Sequence, residues 1–275
     1  MIAPFPRTLL FAPAHRARFV ESAFRSDADA VVLDLEDAVP EPDKAAARSA
    51  AARIVKDRRD GVPVIVRINA FGMPEFEADL GAMADSRPAA VMLPKVETPD
   101  PIERARSMPP EVGLVLLIES PAGILRALDL ARVAGPRLIA LAFGAEDYRA
   151  SMRLPPEDGG PALEIARAML AMAAAAAGVT AIDSPSLQLD DPEALTADSR
   201  RARALGFQAR LAIHPAQVRP IAEAFAPDPV EREWANGVIR AAAAAKAPGQ
   251  GALRVDGRMI DAATLRRAQR IVDEH

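Results

Sequence analysis

The sequence of 275 residues has no cysteine and only three histidines. Without cysteine there can be no disulfide, thiolate nucleophile, iron–sulfur cluster or cysteine-ligated zinc in this chain. So few histidines also argue against a zinc hydrolase site, which usually needs several nitrogen ligands. A chain without disulfides is compatible with a reducing compartment, and we expect a cytoplasmic protein.

Long apolar runs and a basic excess are missing as well. No stretch approaches the roughly 20 apolar residues that cross a bilayer. The N-terminal apolar run is broken by prolines, so we expect neither a membrane span nor a secretory signal. The net charge is -4 and the basic residues form no stripe, which gives no indication of a nucleic-acid partner. With 50% hydrophobic residues, the composition indicates a soluble chain with one large domain and a small appendage.

Short apolar runs recur at intervals of about 30 residues, the length of a βα unit. They lie at 8–11, 30–35, 64–68, 90–93, 114–118, 138–143, 180–183 and 209–213. Helical patterns lie between them, at 18–24, 43–55, 74–83, 121–133, 161–177, 192–205 and 217–225. We therefore predict an α/β fold, a (β/α)8 TIM barrel over residues 1–227. An open doubly wound sheet is the alternative, but it usually has fewer strands, and the dinucleotide fingerprint after the first strand is missing.

The tail over residues 228–275 does not continue this alternation of strands and helices. It predicts a helix at 231–245, two short strands at 252–255 and 258–260 around Asp256-Gly257, and a last helix at 262–272. A hairpin plus helix of this size cannot support its own core. We expect it to act as a lid that docks on its own barrel or on that of a neighbouring subunit.

Two acidic residues follow neighbouring strands of the predicted barrel. Glu119 comes directly after the run 114–118, and Asp147 comes just after the run 138–143. The carboxyl ends of parallel strands share one face of a barrel, so we expect the two carboxylates side by side. Like charges repel unless a cation lies between them. An ion that prefers oxygen ligands, Mg²⁺ or Mn²⁺, satisfies this arrangement best.

Other polar side chains also fall at predicted strand ends. Arg67 lies inside an apolar strand, and a buried arginine needs a carboxylate or phosphate partner; its planar fork suits a substrate carboxylate. Asp34 alternates with apolar residues, which is consistent with a core acid paired to an arginine. Lys95 could form an ion pair with an interior acid or serve in catalysis. A single acid such as Asp37 is also explained as a solvated rim charge or a helix N-cap.

Eight short motifs follow one another over nearly the whole chain. They are RTLLFAPA at 7–14, LDLEDAV at 33–39, VRIN at 66–69, LPKVE at 93–97, IESPAG at 118–123, FGAED at 143–147, IHPAQV at 213–218 and VDGRMID at 255–261. In this order they resemble the citrate lyase beta subunit-like group of the HpcH/HpaI aldolase and malyl-CoA lyase superfamily. Ser120 and Tyr148 stand where that group often has threonine and leucine.

The resemblance implies a barrel, usually trimeric, that uses Mg²⁺ to cleave or form carbon–carbon bonds in 3-hydroxyacyl thioesters. Cleavage would give an acyl thioester, carried by coenzyme A or an acyl carrier protein, and a 2-keto acid. Glu119 and Asp147 would be the metal ligands. Arg67 would hold the keto-acid end of the substrate, with Glu36 and Asp37 supporting Arg67 and metal-bound water.

The same resemblance assigns the remaining residues of the site. The substrate carboxylate would be bound by the backbone amides of Gly144, Ala145, Glu146 and Asp147. Asp261, in the tail, would be the general acid or base and would reach into the site of an adjacent subunit. Lys95 would belong to the shell that supports these groups.

The sequence is compatible with three other functions. One is a thioesterase that uses the same site to hydrolyse malyl-CoA, and another is a Schiff-base aldolase that uses Lys95. The third is a non-catalytic subunit that binds an acyl carrier protein in a larger lyase assembly. The sequence leaves open whether the substrate is a malyl, citramalyl, methylmalyl or citryl thioester, since one methylene changes binding by only roughly 1–3 kcal/mol.

Overall fold

The computed structural model describes residues 5–58, 61–155, 160–244, 253–255 and 258–273. The chain divides into two compact units, Met1–Phe225 and Ala226–His275. The division falls close to the boundary predicted after residue 227.

The first unit contains a closed barrel of eight parallel strands. The strands are β1 (Thr8–Pro13), β2 (Ala30–Asp34), β3 (Val64–Arg67), β4 (Ala90–Leu93), β5 (Gly113–Ile118), β6 (Leu138–Phe143), β7 (Thr180–Asp183) and β8 (Ala209–Ala212). The sheet closes because β1 pairs with both β2 and β8, so that Leu9 is the register partner of Ala30 and of Leu211. The predicted (β/α)8 TIM barrel is confirmed.

Helices connect the strands on the outside of the barrel. They are α1 (Ala17–Arg25), α2 (Lys44–Asp57), α3 (Phe76–Ser86), α4 (Asp100–Arg104), α5 (Pro121–Ala134), α6 (Ala145–Met152), α7 (Gly160–Ala177), α8 (Pro192–Leu205) and α9 (Val218–Phe225). Short 3₁₀ helices lie at Glu41–Asp43, Ala105–Ser107, Gly135–Arg137 and Pro215–Gln217. The sequence patterns do not predict α4 or α6, because these short helices lack a clear apolar period.

Alternate residues of every strand fill the interior of the barrel. This inner cluster is drawn from all eight strands and includes Leu9, Val32, Ile65, Met92 and Leu117. The other face of each strand packs under the helices in a second, larger cluster. Because side chains alternate along a strand, Asp34, Arg67 and Glu119 continue the inward rows of Val32, Ile65 and Leu117 at the carboxyl end.

Among the described helices, α7 alone is long and apolar enough by composition to cross a membrane, with a hydropathy of 1.2 over 18 residues. It packs on α5 and on β6 and β7. Leu170 and Ala174 are fully buried there, and the buried Arg167 pairs with Asp183. These contacts make α7 a helix of the barrel's outer layer.

The second unit is small and has its own apolar cluster. In it α10 (Pro229–Ala244) packs against α11 (Ala262–Asp273), and β9 (Leu253–Val255) pairs antiparallel with β10 (Arg258–Ile260). Its cluster consists of Ala235, Val238, Ile260, Ala268 and Ile271. The predicted turn at Asp256-Gly257 lies outside the described residues, as do Ala245 and Ala252. The action of this unit as a lid, and its docking on a neighbouring subunit, stay predictions.

Candidate active site

Asp34 and Arg67 form a buried ion pair at the mouth of the barrel. They are register partners at the ends of β2 and β3. The guanidinium donates from Nε to Asp34 Oδ1 at 2.7 Å and from Nη2 to Asp34 Oδ2 at 2.6 Å. Burial disfavours charge on Asp34, but the charge and hydrogen bonds of Arg67 hold the pKa of Asp34 below its usual value. The predicted pairing of a core acid with an arginine is confirmed.

The edge of the Arg67 guanidinium formed by Nε and Nη2 is therefore bonded to Asp34, and the predicted contact of Arg67 with the keto-acid end of a substrate stays a prediction. The remaining Nη1 lies 3.1 Å from Glu36 Oε2 and 3.9 Å from Asp37 Oδ2. The guanidinium also lies over the ring of Phe11, with 4.8 Å between Cζ and the ring centroid. Arg67 can supply a fixed positive charge to the mouth through Nη1.

A second cation, Lys95, lies on the other side of Glu36. Its Nζ lies 2.5 Å from Glu36 Oε1, 3.4 Å from Asp37 Oδ1 and 3.6 Å from Asp147 Oδ2. Burial raises the pKa of Glu36, although Arg67 and Lys95 act to lower it. Burial disfavours the ammonium form of Lys95, but the hydrogen bond to Glu36 and the charge of Glu36 raise its pKa overall. The structure thus shows Lys95 in an ion pair with an interior acid.

Glu119 follows β5 and is buried at the mouth. Its Oε1 accepts a hydrogen bond from the backbone N–H of Lys95 at 2.7 Å. Burial, and then the charges of Glu36 and Asp147, raise the pKa of Glu119 to about 8. A buried carboxylate among acids needs a compensating cation to remain ionised near neutral pH.

Gly144 follows β6 and leaves the space that Glu119 occupies. Strands β5 and β6 are adjacent, with Ile118 opposite Phe143, so residue 144 lies directly beside residue 119. A Cβ built on Gly144 would lie 2.5 Å from Cβ of Glu119 and closer still to its Oε2. Both separations are far inside van der Waals contact, so any larger residue must displace the Glu119 side chain.

Helix α6 begins directly after Gly144 and places Asp147 in its first turn. Two of the four amides predicted to bind the substrate carboxylate are already bonded within the protein. Gly144 N–H donates to a carbonyl oxygen at the end of β5 at 3.0 Å, and Ala145 N–H donates to Ser184 Oγ at 2.9 Å. The binding of a substrate carboxylate by the four amides stays a prediction. Those of Glu146 and Asp147 lie where helical N–H groups have no intrahelical acceptor and attract anions.

Two residues hold the strand ends and helix start around the mouth, a role that was not predicted for them from the sequence. One is Ser184, at the end of β7, which fixes the start of α6. The other is the buried Lys44, whose Nζ donates to the carbonyl oxygens of Leu35 and Glu36 at 3.1 Å each and to Oδ1 of Asn69. Lys44 thereby ties the end of β2 to the end of β3. The sequence signal was a lysine at the first position of α2, where the helix dipole disfavours a positive charge.

The mouth fits a divalent cation with oxygen ligands. Asp147 lies close enough for its charge to raise the pKa of Glu119. Over the described ranges, no group of three or more His, Cys, Asp or Glu residues forms a metal cluster by itself. Two carboxylates leave coordination positions for water and substrate oxygens, which is the arrangement that Mg²⁺ favours.

Asp261 belongs to the second unit, where it caps α11. Its Oδ1 accepts hydrogen bonds from the backbone N–H of Thr264 at 2.7 Å and from Thr264 Oγ1 at 2.8 Å. These bonds hold the pKa of Asp261 below its usual value. The role of Asp261 as general acid or base stays a prediction.

Known proteins share both the sequence and the architecture. The HpcH/HpaI aldolase/citrate lyase family model matches residues 7–215. A citrate lyase subunit beta-like protein of Deinococcus radiodurans is 38% identical over 275 residues, covering 97% of this chain and 96% of that protein. A (3S)-malyl-CoA thioesterase of Cereibacter sphaeroides is 32% identical over 259 residues, covering 94% of this chain and 90% of that protein.

A solved structure extends the similarity to three dimensions. Protein CitE from Mycobacterium tuberculosis, in complex with magnesium, acetoacetate and coenzyme A, superposes with a TM-score of 0.81 at 31% identity. The match covers 99% of this chain and 98% of that chain. The sequence similarity therefore extends both to a citrate lyase subunit beta-like protein and to a thioesterase.

Substitution of Gly144 by alanine tests whether Glu119 is a metal ligand. Because the new Cβ collides with Glu119, we expect Gly144→Ala to weaken Mg²⁺ or Mn²⁺ binding by about 10- to 100-fold, as measured by calorimetry. Gly81→Ala in α3 is the matched control, since a Cβ there meets nothing within 4 Å. Native-like affinity in Gly144→Ala would argue against Glu119 as a ligand.

The raised pKa of Glu119 predicts a pH dependence of metal binding. Its carboxyl group is largely protonated below its pKa of about 8, and it must lose that proton before it can bind a cation. The apparent Mg²⁺ affinity should therefore rise with pH up to about 8 and level off above it. Calorimetry in buffers of different ionisation enthalpy should show proton release at neutral pH. Binding without proton release would contradict this prediction.

Proposed function

Since the chain belongs to the HpcH/HpaI aldolase/citrate lyase family, we propose that it is a Mg²⁺-dependent carbon–carbon lyase of 3-hydroxyacyl thioesters. It would cleave such a thioester to an acyl thioester and a 2-keto acid, or form it in reverse. The observation that carries the proposal is the buried Glu119 beside Asp147, next to the fixed charge of Arg67. The magnesium, acetoacetate and coenzyme A bound by the solved CitE relative support it.

The residues of the mouth suit the substrate end that becomes the 2-keto acid. Glu119 and Asp147 would hold the ion, and a bound Mg²⁺ would supply Lewis-acid polarisation of the substrate's hydroxyl and carboxylate oxygens. Arg67 Nη1 would add a fixed positive charge at the same end. The amides of Glu146 and Asp147 would orient the carboxylate at the start of α6.

The proton movements follow from the bond that breaks. In cleavage the hydroxyl loses its proton to solvent water, its oxygen becomes the carbonyl oxygen of the 2-keto acid, and the carbon–carbon electron pair passes to the thioester enolate. Asp261 would give a proton to the enolate carbon, and in condensation it would remove that proton.

A thioesterase is the second candidate, because a relative 32% identical to this chain is named a (3S)-malyl-CoA thioesterase. Hydrolysis would release free coenzyme A and leave the carbon–carbon bond intact, whereas the lyase releases an acyl-CoA and a 2-keto acid. The same mouth could bind the substrate for either reaction. Product identity separates them.

The structure gives less support to a Schiff-base aldolase. A nucleophilic lysine needs a lowered pKa, whereas the pKa of Lys95 is raised by its hydrogen bond to Glu36 and the charges around it. A purely scaffolding subunit would not need the buried Glu119 with its pKa raised to about 8. Both alternatives predict activity or binding that survives a metal chelator.

A cleavage assay tests the proposed reaction. Malyl-, citramalyl-, methylmalyl- and citryl-CoA would be incubated with Mg²⁺ and with EDTA, while glyoxylate, pyruvate, oxaloacetate, acyl-CoA and free coenzyme A are measured separately. We expect metal-dependent release of one 2-keto acid, and loss of activity in Glu119→Gln. Glu97→Gln, at an exposed residue of a neighbouring motif, is the control. Release of free coenzyme A without a 2-keto acid would favour the thioesterase.

We propose that the active form is a homotrimer in which Asp261 completes the site of an adjacent subunit. Asp261→Asn should retain Mg²⁺ binding and lose turnover. A refolded equal mixture of Glu119→Gln and Asp261→Asn chains should regain about a quarter of native activity, because about one site in four then combines both intact residues. Complete inactivity of verified mixed oligomers would show that one subunit supplies both residues.

A further inference from the structure

Lys95 has a backbone conformation that local structure does not explain. Its φ is 53°, in the left-handed region that costs a non-glycine residue energy. The other non-glycine residues with positive φ among those described are Arg87 and Arg153, and each is the C-terminal cap of a helix, where this conformation is common. Lys95 instead follows the end of β4, well before α4 begins. Such isolated strain points to a functional constraint.

This conformation lets one residue contact both halves of the acidic mouth. The backbone N–H of Lys95 donates to Glu119 Oε1 at 2.7 Å, while its Nζ donates to Glu36 Oε1 at 2.5 Å. The same ammonium lies 3.4 Å from Asp37 Oδ1 and 3.6 Å from Asp147 Oδ2. It therefore places a positive charge beside one of the two carboxylates proposed to bind the divalent ion.

An ammonium in that place compensates the acids without a metal and repels an incoming divalent ion. We propose that Lys95 is an internal cation that competes with the metal for Asp147 and so sets the affinity of the site for divalent ions. This inference rests on the proposed metal site. When the ion binds, the ammonium gives up Asp147 and remains with Glu36, while the backbone N–H keeps its bond to Glu119.

The direction in which removal of the Lys95 side chain changes the metal affinity distinguishes a competitor of the metal from a residue that only holds the acids in place. If Lys95 only holds the acids in place, its removal loosens the site and weakens metal binding. If Lys95 competes with the metal, its removal strengthens binding, because Asp147 loses its resident cation. The backbone bond to Glu119 does not depend on the side chain and survives the substitution.

The experiment measures Mn²⁺ binding without substrate, by electron paramagnetic resonance of the free ion. In solution basic enough to ionise Glu119 in both proteins, Lys95→Met should bind Mn²⁺ about tenfold more tightly than the native chain, as expected for loss of a unit charge within a few ångströms of the ion. Lys95→Arg keeps the charge and should stay near native affinity. Lys56→Met removes the same charge from an exposed position on α2 and is the matched control.

Thermal unfolding gives a second measurement on the same variants. Metal-free Lys95→Met should melt at a lower temperature than the native protein, because its acids lose a counter-ion. Saturating Mg²⁺ should then raise its melting temperature by more than it raises that of the native protein. Should the methionine variant fail to fold, Lys95→Gln removes the charge but keeps a hydrogen-bond donor for Glu36.

Two outcomes would contradict the inference. One leaves the proposed metal site intact, and the other rejects that site as well. Equal or weaker Mn²⁺ binding by the folded neutral variants rejects Lys95 as a competitor and leaves the metal site intact. Absence of Mn²⁺ binding by the native chain, or undiminished binding in Glu119→Gln, rejects the metal site itself and the inference with it.

Discussion

An excess of negative charge around the buried Glu119 is the constraint on which the site depends. Five acidic side chains meet two cations there: Asp34, Glu36, Asp37, Glu119 and Asp147 against Arg67 and Lys95. Arg67 neutralises Asp34 and approaches Glu36, and Lys95 takes the other side of Glu36. The remaining charge falls on Asp37, Glu119 and Asp147. Burial raises the pKa of Glu119 to about 8, so this part of the mouth fits a divalent cation best.

The closed barrel explains why these groups meet. Parallel register places Asp34 opposite Arg67, and alternation turns both side chains inward where the apolar rows end. The same register brings residue 144 beside Glu119, and this position then accepts only glycine. Polar anchors around the mouth complete the arrangement, since Lys44 fixes the end of β2 and Ser184 fixes the start of α6. Asp34, Arg67 and Glu119 are thus positioned by strand ends, and Asp147 is positioned by the start of α6.

Much of this could be predicted from sequence, because strands and their end residues follow from local patterns. The barrel, the acids Glu119 and Asp147 at strand ends, and the buried pair of Arg67 with an acid needed only apolar periodicity and charge. Contacts could not be predicted where a donor bonds to a residue on a different strand, because the sequence does not show which acceptor lies nearest in the fold. The amides of Gly144 and Ala145 have partners at the ends of other strands, and the Nε and Nη2 edge of Arg67 is bonded to Asp34. The left-handed backbone conformation of Lys95 could not be predicted either, because neither a lysine nor the residues around it favour that conformation.

The same excess charge bears on the residue proposed to move the proton. Asp261 caps α11, and its hydrogen bonds from Thr264 lower its pKa, so that it is ionised in its own unit. An ionised carboxylate suits proton removal in condensation, whereas cleavage needs the protonated form. In the proposed trimer, Asp261 would come near the acids of another mouth, whose negative charge raises the pKa of an incoming carboxylate. The acids that bind a divalent ion at the mouth would then also favour protonation of Asp261. The balance between cleavage and condensation would depend on how fully the ion offsets the negative charge of these acids.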